Sequence, residues 1–85
     1  MEQRIGIVAI IIDRPASVAE VNLILHEHAD LIVGRMGLPK AAPGIAVISL
    51  VVLGYQDKIS SLSGKLGQVS GVVCNTVYSK HRVDA

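Results

Sequence analysis

A chain of 85 residues makes one small domain, and such a domain buries only about 60% of the surface that its unfolded form exposes. Yet 51% of its residues are hydrophobic, a surplus that suits an assembling chain better than a monomer. Eight basic residues against seven acidic ones leave a net charge of +1 with no basic stripe for nucleic acid, and a lone cysteine, Cys74, excludes an internal disulfide.

The N-terminus MEQR leads straight into an apolar run with no small-residue cleavage site after it, unlike a signal peptide. With one cysteine, a reducing cytoplasm is the expected compartment. Residues 4–12 predict the first strand, closed by Asp13-Arg14-Pro15, where proline suits the first turn of a helix. Helix one is expected over residues 15–29, with Val18, Val21, Ile24, Leu25 and Ala29 on one apolar arc and Glu20 and Glu27 opposite. LIVGRMGL, residues 31–38, reads as a second strand whose two glycines weaken it or mark a bulge. PKAAPG, residues 39–44, is a turn, and IAVISLVVL, residues 45–53, is the third strand of an antiparallel hairpin. Asp57 is the expected N-cap of a second helix over residues 58–66, where Ile59, Leu62 and Leu66 share a face and Gly67 follows as C′. Residues 72–79 predict the last strand, and the polar tail KHRVDA is expected to fray.

The order β-α-β-β-α-β defines an α+β, ferredoxin-like fold: a four-stranded antiparallel sheet with two helices on one face, in a single domain over residues 1–85 with no linker. IGIVAIII and IAVISLVVL do not alternate, so both faces of the sheet are apolar. Two helices cover one face only. The other, roughly 19 by 20 Å or about 400 Å², is as large as the patches that monomers tolerate. A homo-oligomer, dimer or tetramer, is the expected answer. The longest apolar run, about ten residues, falls short of the ~20 of a membrane span, so no membrane association is expected.

Several functions of this fold fail on what they require. The first and third strands carry no aromatic residue to stack RNA bases, one cysteine cannot make a soft-metal carrier, and no P-loop is present. Ser63-Gly64-Lys65 falls inside the second helix and reads as helix surface. His26-Glu27-His28 is the sharpest metal candidate, with Cys74 as a third ligand, but on a helix the two rings point about 200° apart. Helical phase instead places His28 on the apolar arc as a structural residue and His26 on a more exposed face. Cys74 reads as a packed thiol. Arg35 interrupts an apolar strand, either as a rim charge or as a contact to an anion or another subunit. No nucleophile–base pair or carboxylate pair is recognisable, so neither catalysis nor a cofactor is expected.

Residues 21–39, VNLILHEHADLIVGRMGLP, and 59–80, ISSLSGKLGQVSGVVCNTVYSK, together with the first strand, resemble the iron-only hydrogenase system regulators. The resemblance covers nearly the whole chain, and IVGRMGLP and SGKLGQVSGV are its most specific segments. It implies a ferredoxin-like domain similar to ACT domains and to the ligand-sensing domain of nickel-responsive repressors. The Asp13-Arg14-Pro15-Ala16 turn is similar to the D-R-P-G turn of ACT domains, with Ala16 in place of the glycine that lets amino acids approach. By the same resemblance Ile7, Ala9 and Ile11 face the helices, while Val8, Ile10 and Ile12 form the open face and, with Arg35, the oligomer interface. The repressors bind DNA through a separate segment ahead of the first strand, so no direct nucleic-acid contact is implied here. The expected function is a homo-oligomeric, non-catalytic regulatory or ligand-sensing domain linked to the iron-only hydrogenase system, with room for a small-molecule ligand. A metal sensor using His26, His28 or Cys74 and a small enzyme are the alternatives.

Overall fold

Strands rich in Ile and Val, two of them apolar on both faces, meet two helices whose apolar arcs cover one side only. The computed structural model describes residues 2–84. Its elements are β1 (Glu2–Ile12), α1 (Val18–Glu27), β2 (Ile32–Ala42), β3 (Ile45–Gly54), α2 (Gln56–Gly67) and β4 (Val72–Asp84), with single 3-10 turns on either side of α1. The sheet order is β2-β3-β1-β4 and every neighbouring pair is antiparallel. This is the ferredoxin-like arrangement that the sequence predicts.

The core lies between sheet and helices. Val8, Ile10 and Ile12 of β1 and Ile48, Leu50 and Val52 of β3 meet Val21 and Leu25 of α1 and Ile59, Leu62 and Leu66 of α2. The expected phase of β1 is therefore reversed. Val8, Ile10 and Ile12 are buried under the helices, whereas Ile7 and Ile11 lie on the open face, 50% and 44% exposed. Both residue sets are branched and apolar, so β1 alone carries no phase information. The phase is legible in its neighbours: Ser49 and Asn75 pair with Ala9, and these polar residues belong on the side that no helix covers.

Three boundaries differ from expectation. α1 ends at Glu27, and the exposed Ala29 opens a 3-10 turn that delivers Leu31 to the core. The β2–β3 connection shortens to Pro43-Gly44, with Gly44 at φ +74°, because β2 runs on through a bulge between Leu38 and Ala42 that absorbs Pro39. As far as Asp84 the tail does not fray, and Ala85 lies outside the described residues: Glu2, Gln3 and Arg4 pair with Asp84, Val83 and Arg82 past another bulge. Backbone pairing needs no apolar side chains, so a polar tail can extend a strand unseen.

The helix starts and stops also shift. Tyr55 is the N-cap residue of α2, while Asp57 sits in its first turn and accepts from the Lys58 backbone N–H at 3.0 Å. Gly67 ends the helix without a left-handed conformation, and the chain turns at Gly71, φ +74°. There Asp13 N donates to Gly71 O at 2.9 Å and Ser17 Oγ to Ser70 O at 2.6 Å. These bonds tie the β1–α1 connection to the α2–β4 connection.

Candidate functional site

The open face is built from cross-strand rows. Leu38, Val47, Ile11 and Val73 form the first, Met36, Ser49, Ala9 and Asn75 the second, and Gly34, Val51, Ile7 and Val77 the third. None of these side chains is charged. Val77 is 67% exposed and Met36 58%, large apolar groups left in water on the two edge strands of the sheet. The middle row is smaller and more polar than its flanks, which gives the face two apolar ridges about a shallow polar strip.

Arg35 is not part of this face. It pairs with Leu50, whose side chain enters the core, so it projects from edge strand β2 on the helix side. Its Nη2 donates to Asn22 Oδ1 on α1 at 3.1 Å. The structure thus separates Arg35 from the apolar open face and puts it on the helix side of the sheet, the side on which Val8, Ile10 and Ile12 are buried.

The two histidines part as helical phase predicts. His28 Nδ1 donates to the Ile24 carbonyl at 2.8 Å, and Lys65 Nζ lies 3.5 Å from its Nε2, while His26 is exposed. Cys74 is half-buried beneath α2; burial pushes its thiol up, and a hydrogen bond with Ser63 opposes that shift. Ser63 Oγ in turn lies 2.7 Å from Thr76 Oγ1. Among the described residues, no three His, Cys, Asp or Glu side chains stand together as a metal site.

One charged residue passed over in the sequence closes the far end of the core. Arg4 donates to Gln56 Oε1 at 3.0 Å and to the Ser79 carbonyl at 2.9 Å, with its guanidinium 5.0 Å above the Tyr78 ring. An arginine at the start of an apolar strand was its only signal. Asn22, the partner of Arg35, was hidden because a polar residue on a helix flank is unremarkable.

A four-stranded antiparallel sheet with two helices on one face and the other face left open and largely apolar defines a small α+β domain of ferredoxin-like fold. The family described as "TM1266-like: Iron-only hydrogenase system regulator, putative" matches residues 4–76, and the chain belongs to it. The solved structure of TM1266 from Thermotoga maritima is 41% identical, covers 93% of this chain and 100% of its own, and superposes with a TM-score of 0.86. The C-terminal domain of MgtC from Mycobacterium tuberculosis is 16% identical over 92% of this chain and 89% of its own, with a TM-score of 0.72. The nitrogen regulatory PII-like protein CPII from Thiomonas intermedia K12 is 13% identical over 92% of each chain, with a TM-score of 0.52. These last two share the fold. No curated protein matches the chain. Among the described residues, no helix is long and apolar enough to cross a membrane.

Proposed function

We propose that this chain is a homo-oligomeric, non-catalytic sensing module of the cytoplasmic iron-only hydrogenase system, and that it assembles through the open face of its sheet. The carrying observation is the three uncharged rows across β2, β3, β1 and β4. Burial of about 400 Å² per subunit at about 25 cal/mol/Å² yields roughly 10 kcal/mol before the costs of association. That area is about half of the ~800 Å² per partner of a standard interface. The remainder is supplied by the tip of the β2–β3 hairpin, which runs past the last β1 pair, Ile12 with Ala46. The non-catalytic reading is supported by His28 and Cys74, whose side chains are held by packing partners.

Light scattering on a size-exclusion column tests the assembly. A dimer or tetramer at micromolar concentration is expected. A monomer of 9.0 kDa at that concentration overturns it.

A further inference from the structure

We propose that the groove between α1 and the helix-side face of β2 binds a small aliphatic carboxylate, whose head group Arg35 holds. This deepens the sensing reading above and rests on it. The groove exists because two helices cannot cover a four-stranded sheet evenly, and edge strand β2 is left partly bare. A cavity of 470 Å³ lies between Asn22, His26 and Arg35, and one of 220 Å³ continues from Arg35 and Asn22 to Val18 and Ile12. The second opens into a 650 Å³ space beside the hairpin, with Ile12, Val18, Pro39 and Ala46 common to both.

The polar groups of the groove are sorted by sign. Arg35 spends one N–H on Asn22 Oδ1, which leaves the rest of its fork, and the Asn22 amide group, to donate. Among the described residues no carboxylate pairs with Arg35, and none of the residues lining the three cavities is acidic. In a chain of net charge +1 this is a local excess of positive charge. A planar guanidinium matches a carboxylate with two parallel hydrogen bonds. A phosphate would call for further cations beside Arg35, and the 220 Å³ cavity has none: Lys40 lines only the space beside the hairpin, and His26 only the opposite end. The absence of an acidic lining residue leaves an ammonium group without a partner, so a simple carboxylate fits and an amino acid does not. Beyond Arg35 the walls at Ile12, Val18, Pro39 and Ala46 are apolar, which suits an alkyl chain.

Titration of the ¹⁵N-labelled full chain with hexanoate, followed by amide chemical shifts, tests the site. Saturable shifts at Arg35, Asn22, Val18 and Ala46 are expected. Hexanamide, 2-aminohexanoate and inorganic phosphate are each expected to bind about tenfold or more weakly, the worth of a charge-assisted hydrogen bond. Arg35→Met brings hexanoate down to the hexanamide level, and Ala46→Leu, which fills the apolar end without touching Arg35, weakens both. Hexanoate that shifts only residues outside the groove overturns this site and leaves the sensing reading intact. Phosphate that binds better than hexanoate, indifference to Arg35→Met, or no saturable shift at millimolar hexanoate also overturns the site. Shifts of these amides with protein concentration alone would assign the groove to a second copy of the chain and overturn it too. Hexanoate binding through Arg35 by a chain that light scattering shows to be monomeric keeps the site and removes the assembly.

Discussion

Lys65 on α2 reaches the His28 ring at the end of α1, its Nζ 3.5 Å from Nε2. Since His28 Nδ1 donates to the Ile24 carbonyl, Nε2 is the acceptor of the neutral ring, and one imidazole joins a helix end to the neighbouring helix. His28→Ala removes both contacts and a half-buried ring, and should destabilise the fold by about 1–3 kcal/mol. His26→Ala changes an exposed position and should stay within about 0.5 kcal/mol. Urea unfolding with and without Ni²⁺, Zn²⁺ or chelator checks both. A chelator-sensitive wild-type stability that both substitutions abolish would replace the structural role with metal ligation.

The two faces of β1 respond differently to the same change. Ile7 lies between Val51 and Val77 on the open face, and Ile10 between Ile48 and Cys74 under the helices. Ile7→Lys should leave the circular dichroism spectrum intact and dissociate the oligomer. Ile10→Lys should prevent folding, and even Ile10→Ala should cost about 2–5 kcal/mol, as for large-to-small changes in a core. An Ile7→Lys protein that retains the wild-type mass by light scattering sinks the open face as the interface.

The order of elements was legible because each depends on a local signal. Ile59, Leu62 and Leu66 repeat at helical spacing, and all three are buried. The phase of β1 was not legible, since Val8-Ile10-Ile12 and Ile7-Ala9-Ile11 differ little in polarity; cross-strand partners far away in sequence settle it. The strand character of the tail was hidden for a related reason: its ladder is made by backbone groups that carry no residue signature. His28 was readable from phase alone, while its contact with Lys65, 37 residues on, required the fold. The placement of Arg35 beside Asn22 likewise depends on α1 lying alongside the helix-side face of β2, which no local pattern records.

Gly71 and Gly44 share a left-handed backbone at φ +74° but not their surroundings. A Cβ at Gly71 would lie 2.5 Å from Arg14 Cβ and 2.8 Å from Asp13 Oδ1, whereas one at Gly44 meets nothing within 4 Å. Gly44→Ala should therefore cost only the backbone penalty of about 1–2 kcal/mol. Gly71→Ala should cost more, because it also forces apart the Asp13–Gly71 hydrogen bond that joins two connections. Chemical denaturation of the pair is the check, and equal losses at the two positions would mean that the contact with Arg14 relaxes freely.

Cys74 couples packing to pH. Burial pushes its thiol above the ordinary 9.0, and the Ser63 hydrogen bond only partly offsets this. The thiolate is the nucleophile, so at neutral pH iodoacetamide should alkylate the folded chain more slowly than the urea-unfolded chain. The fold favours the protonated thiol. Its contribution to stability is therefore complete below 9.0 and is lost as the pH rises through the higher folded-state value. Cys74→Ser removes this titration and leaves the other groups in place. The stability difference between wild type and Cys74→Ser should hold constant from neutral pH to about pH 8 and then shift against the wild type in the alkaline range. Alkylation of the folded chain as fast as the unfolded one, or a difference that stays constant through the alkaline range, would place the thiol in water and not beneath α2.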